Sequence, residues 1–137
     1  MASLKAAIYS ILSTDAQINN TANLGGSTML NNSATSPYSI YYFHPRVKPT
    51  PPFITYSVGS AIGEQPRMTE VLIACWGGEI VTIMNRVHAL LDRQPLSSLT
   101  DYRFLQMIWD WHSPEAWDEE RQIYVRTDRF LVKSWKT

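Results

Sequence analysis

The run Glu70-Val71-Leu72-Ile73-Ala74-Cys75-Trp76, then Gly77-Gly78, then Ile80, Ile83, Met84, Val87, Leu90 and Leu91, decides the fold. Residues 70–76 are nearly all apolar over a strand's length, which predicts a strand buried on both faces and central in a sheet. The glycine pair breaks that strand. It reads as a strand-to-helix turn, because glycine reaches backbone angles denied to other residues. The six apolar residues after it recur at helical spacing, the strongest periodic signal in the chain, and predict an amphipathic helix over 79–91. Glu79 in the first turn and Arg93 near the end suit the helix dipole. Gln94-Pro95 should stop the helix.

Towards the N-terminus, Leu4, Ala7, Ile8, Ile11 and Leu12 form one apolar helical face over 4–12. Ser3 is its candidate N-cap, and Ser13-Thr14-Asp15 should end it. Residues 19–37 are rich in Asn, Ser, Thr and Gly with no periodicity, and read as a long flexible polar loop. Residues 38–43 have strand composition and end at His44-Pro45. Pro49, Pro51 and Pro52 make an extended connector. A strand follows at 53–58 with Ile54, Tyr56 and Val58 on one face. Gly59, Gly63 and Pro66 then mark a hairpin loop over 59–68.

Towards the C-terminus, residues 103–111 alternate as a strand with Leu105, Met107, Trp109 and Trp111 expected on one face. Residues 112–120 are polar, contain Pro114 and read as an acidic loop. Residues 121–135 form a long strand or bent strand pair. It carries Arg126 and Asp128 on one face and Arg129 and Lys133 on the other, so one face is wet or buried only on assembly. The expected fold is α+β: a mostly antiparallel β-sheet with two amphipathic helices packed on one face, in a single domain over 1–137.

Composition bounds the function. The 45% apolar content is that of a globular chain. Twelve Lys and Arg balance twelve Asp and Glu, so the basic excess of a general nucleic-acid binder is missing, and a membrane-surface role is disfavoured. A lone Cys75 excludes an internal disulfide and fits a reducing compartment. No apolar stretch approaches the ~18 residues of a membrane span, and no secretory signal is expected.

No catalytic constellation emerges. His44, His88 and His112 are scattered, with no metal-ligand spacing. Cys75 in an apolar strand reads as a small core hydrophobe. Glu115, Asp118, Glu119 and Glu120 read as a solvated loop rather than a carboxylate pair in a cleft. Neither Gly25-Gly26 nor Gly77-Gly78 has phosphate-loop spacing. No cofactor or metal is expected.

Two sets of residues remain. Arg121, Arg126, Arg129 and Lys133 are candidates to line a channel or an inter-subunit contact. They face either DNA phosphates or the carboxylates of 115–120 and Asp128, and the zero net charge favours pairing. Tyr41, Phe43, Trp109, Trp111 and Trp117 are candidate interface aromatics, since neighbours in a strand cannot all point inward.

The order of these pieces covers nearly the whole chain: a helix, a loop, Ile40 to Pro45, Pro52-Phe53-Ile54-Thr55-Tyr56, Val71-Leu72-Ile73-Ala74-Cys75-Trp76, a second helix, His112-Ser113-Pro114-Glu115, and Tyr124-Val125-Arg126 through Phe130 to Trp135. It resembles the tail completion, or tail terminator, proteins of long-tailed bacteriophages. The loop at 19–37 and the prolines at 48–52 depart from the family pattern. The resemblance implies a non-enzymatic virion protein of the tail or neck, made in the host bacterial cytoplasm. It implies a homo-oligomeric ring, a hexamer, at the head-proximal end of the tail. Such a ring ends tail-tube polymerisation, meets the phage tail-tube protein and the head connector protein, and passes DNA through its lumen without sequence-specific binding. A neighbouring head-to-tail connector, of adaptor or head-closure type, is the alternative.

Overall fold

The computed structural model describes residues 4–15, 40–43, 51–59, 67–94 and 102–136. The expected loop at 19–37 lies outside them. Helix α1 spans Leu4–Thr14 and helix α2 spans Ile80–Leu91. The strands are β1 (Ile40–Tyr42), β2 (Phe53–Val58), β3 (Arg67–Trp76), β4 (Tyr102–His112), β5 (Ala116–Asp118) and β6 (Ile123–Lys136). They form one sheet in the order β1-β2-β3-β6-β4, with β5 also on β6. β1 runs parallel to β2, and every other pairing is antiparallel. The α+β expectation therefore holds, and β3 is central.

The deciding stretch folds as its composition dictates. Val71, Ile73 and Cys75 are buried on the helix side of β3, while Ala74 is buried and Leu72 half-buried on the other. Gly77 and Gly78 take φ of 79° and 69°, the left-handed region that glycine enters without steric cost. They also touch the proline pair before β2. A Cβ on Gly78 would lie 2.7 Å from Pro52 Cβ, and one on Gly77 2.9 Å from Pro51 Cβ. The turn thus needs glycine twice over, for its angles and for its closeness to 51–52.

Both helices lay their apolar faces on one side of the sheet. Leu4, Ile8 and Leu12 from α1 meet Ile80, Ile83, Met84, Val87 and Leu91 from α2 over Ile54, Tyr56, Val71, Ile73, Phe130 and Val132. Fully burying side chains of this kind stabilises by about 1.5–3 kcal/mol each. No helix among the described residues is long and apolar enough to cross a membrane.

Some element ends differ from expectation, for local reasons. α1 runs on to Thr14, whose hydroxyl folds back to donate to the Ser10 carbonyl at 2.7 Å. α2 starts at Ile80, one residue after the expected Glu79, and ends at Leu91 as its apolar spacing predicts. Asp92 turns extended, and Arg93 takes φ 60° while its N–H donates to the Met107 carbonyl at 2.7 Å. The hairpin loop expected over 59–68 is shorter at its far end, since Arg67 and Met68 already pair with β6. The acidic loop over 112–120 contains the short strand β5.

Candidate interaction surface

The period-two alternation expected along β4 is broken. Its register on β6 slips between Phe104 and Gln106 and again between Trp109 and Trp111. Trp109 lies opposite Phe130 and Trp111 opposite Arg129, which are neighbours on β6 and so face opposite sides. The two tryptophans expected on one face therefore lie on opposite faces. Trp109 goes to the helix side, its ring 5.0 Å from that of His88 and stacked on His112 at 5.8 Å. Trp111 goes to the helix-free side and is 49% exposed.

Asp110, the residue added by the second slip, accepts a hydrogen bond from Arg129 Nε at 2.7 Å, and Glu70 lies 3.6 Å from the same guanidinium. Arg129 is thus held between carboxylates on both flanking strands. Arg121 also lies over aromatic rings on this side, 5.1 Å from Trp76 and 5.8 Å from Phe53. Phe53 and Trp76 stack at 5.8 Å, and Tyr41 meets Phe53 edge-on at 6.1 Å. The Trp76 indole N–H donates to Thr55 Oγ1 at 2.9 Å. Lys133 is exposed.

Arg126, expected to line a lumen or an inter-subunit contact, lies largely out of solvent within the subunit. It points to the helix side, is 9% exposed, and donates from Nε to Asp128 Oδ1 at 2.8 Å. Asp128 is fully buried and also meets His88 Nε2. Sequence reasoning placed Arg126 and Asp128 on one face and favoured charge pairing with Asp128, but missed His88, which reaches the carboxylate from a helix forty residues away. A second ion pair was also missed. Arg86 on α2 donates from Nε and Nη2 to Asp15 at 3.1 and 2.6 Å, tying the end of α1 to α2. That hydrogen bonding raises the Arg86 pKa above its ordinary value.

Cys75 is inert by environment. Burial pushes its thiol up to about 12, the nearby Arg126 charge offsetting only part of that. No group of three or more His, Cys, Asp or Glu among the described residues is arranged to hold a metal ion.

Exposed aromatics remain at both sheet margins. On β4 to β6 they are Trp109, Trp111, Trp117 and Tyr124, with the aliphatic Ile108 exposed beside them and Trp117 and Tyr124 packed edge-on at 5.0 Å. At the β1 margin Phe43 is 60% exposed and takes φ 70°, a region bulky residues rarely enter. Phe43 rims a depression of about 250 Å³ on the helix-free face, lined also by Thr55, Ser57, Leu72, Ala74 and Thr127. Nothing in this arrangement supplies a nucleophile and base within reach of each other. What it offers is exposed aromatic surface over a rigid sheet, the composition of an interface.

No protein-family model matches the chain, and no curated protein matches it. Its fold is similar to that of a chain in a solved structure described as the virion of a native gene transfer agent (GTA) particle. The TM-score is 0.66 at 15% identity, over 97% of this chain and 95% of that one.

Proposed function

We propose that this chain is a structural virion protein of a bacteriophage or phage-like particle. It forms a ring, a hexamer, at the head-proximal end of the tail, where it stops tail-tube polymerisation and joins the tail to the head. The observation that carries this reading is the likeness, over nearly the full length of both chains, to a chain of the gene transfer agent virion. The order of motifs from Ile40 to Trp135 supports the finer assignment to the tail terminator position. The exposed tryptophans of β4 and β5 support assembly, since aromatic side chains are enriched where subunits meet.

In such a ring the helix-free face carries Arg121, Arg129 and Lys133, the basic candidates for the DNA-passing lumen. Arg126 leaves that set because it neutralises Asp128 inside the subunit. A lumen that passes DNA without reading it needs only diffuse positive charge. Partly neutralised arginines suit that, since a fully free basic ring would hold the phosphates.

The deciding test is mass by light scattering, with negative-stain images of the same sample, for the protein alone and after mixing with tail-tube protein. Six copies in a ring, alone or on the tube, is the expected result. A monomer under both conditions overturns the reading. Rings that bind a head connector but never the tube would move the assignment to a neck protein.

A further inference from the structure

We propose that copies of this chain join edge to edge, the tryptophan-bearing, acidic β4–β5 margin of one copy seating against the β1–β2 margin of the next. This rests on the ring reading above and specifies which surfaces close the ring.

The two margins are opposite ends of one sheet. β4 leaves β6 at His112 opposite Asp128, and β5 rejoins the same side of β6 at Ala116 opposite Val125, so the two strands form one continuous border. β1 is the border at the other end. A contact between opposite ends of one molecule is heterologous. Repeated with rotation, it closes into a ring.

Charge makes the two borders complementary. Asp110, Glu115, Asp118, Glu119 and Glu120 fall within or beside β4 and β5, and Glu115, Glu119 and Glu120 are exposed. The sequence has no Asp or Glu between Asp15 and Glu64, a stretch that includes all of β1 and β2. At that border the Lys5 ammonium lies 3.9 Å from the centre of the Tyr42 ring. An acidic border against one free of carboxylates steers association and suppresses like-edge pairing.

Shape agrees with charge. The β4–β5 border presents large rings, while the helix-free face running inward from Phe43 over β2, β3 and β6 presents a depression lined by Thr55, Tyr56, Ser57, Leu72, Ala74 and Thr127. Phe43 holds a left-handed backbone, anchored by its N–H donating to the Tyr56 carbonyl at 2.8 Å, and leaves 60% of its surface exposed at this border. The contact is made by side chains and not by strand addition. Trp109 N–H donates to Asp92 Oδ1 at 2.8 Å and the Met107 carbonyl accepts from Arg93, so the turn after α2 covers the outer backbone groups of β4 there.

The test mixes two variants, under whichever condition, alone or with tail-tube protein, the wild type assembles. One variant carries Trp111→Ser with Glu119→Lys and Glu120→Lys. The other carries Phe43→Asn, which tolerates the left-handed backbone, with Ser57→Arg to fill the depression. Circular dichroism and thermal melting screen both for folding, and Trp111→Ser and Phe43→Asn alone replace any multiple variant that fails. Each variant alone should stay monomeric, with self-association weakened roughly thirtyfold or more, as for interface hot spots. Their mixture should give a 1:1 dimer that grows no further, because only one intact contact can form between them. Rings from either folded variant alone, or a mixture that stays monomeric, would overturn the edge pairing and leave the ring reading standing. A wild type that assembles under neither condition would overturn both.

Discussion

The Asp128 carboxylate accepts two hydrogen bonds from the Arg126 guanidinium, from Nε at 2.8 Å and Nη2 at 3.1 Å. The two residues sit two apart on β6, so their side chains leave the same face, here the face the helices cover. His88 from α2 closes on the same carboxylate. A buried charge is tolerated when it is paired and hydrogen-bonded, and costs heavily when its partner is removed.

Asp128→Ala should therefore destabilise the subunit by about 3–5 kcal/mol, because it strands the Arg126 cation. Adding Arg126→Met to it should recover part of that loss by removing the orphan charge. Urea unfolding of the two variants checks this. A double variant less stable than Asp128→Ala would show that the pair is not the source of the cost.

Gly78→Ala should cost about 1–3 kcal/mol. Its φ of 69° disfavours any Cβ, and the new Cβ would sit 2.7 Å from that of Pro52. Thermal melting measures it. An unchanged melting temperature would mean that the turn relaxes away from the prolines.

Stability should fall as pH rises from about 9 to about 12. Burial pushes the Cys75 thiol and the Tyr56 hydroxyl up to about 12 each in the folded state. Between the unfolded and folded values the unfolded chain has released protons that the folded chain still holds. Unfolding is then favoured, by up to about 1.4 kcal/mol per pH unit for each group. Below about pH 8 neither group contributes an appreciable slope. Urea unfolding of wild type and Cys75→Ala across pH 8–11 tests this, and the variant should show the shallower fall between 9 and 10.

The Cys75 thiol should resist alkylation in the folded protein at pH 8 and react once the chain unfolds, because it is fully buried as well as protonated. Labelling followed by mass measurement, with and without urea, reads the difference. Rapid native labelling would contradict the buried placement.

Lys133→Glu should leave ring formation intact while lowering infectivity, if Lys133 faces a lumen that DNA crosses. Loss of the ring would place this residue in a subunit contact instead. Lys133 is a cleaner probe than Arg129, where reversal would bring a third carboxylate beside Asp110 and Glu70.

Much of the fold is written in local pattern. The apolar run at 71–75, the two glycines and the helical spacing of Ile80, Ile83, Met84, Val87 and Leu91 fix a central strand turning into a core helix, since one period matches each element. The face of Ile54 and Tyr56 on β2 and that of Leu4, Ile8 and Leu12 on α1 follow for the same reason.

The tertiary structure decided what depends on register and on distant partners. The second slip on β4, at Asp110, sends Trp109 and Trp111 to opposite faces, because one added residue reverses every side chain beyond it. Alternation alone carries no mark of such a slip. Alternation put Arg126 and Arg129 on opposite faces of one strand but did not mark which face is interior. One is buried against Asp128 and His88, and the other is held at the surface between Asp110 and Glu70. Which arginine is interior depends on where two helices pack and on what the neighbouring strands bring alongside, and that is settled only when residues far apart in the chain meet.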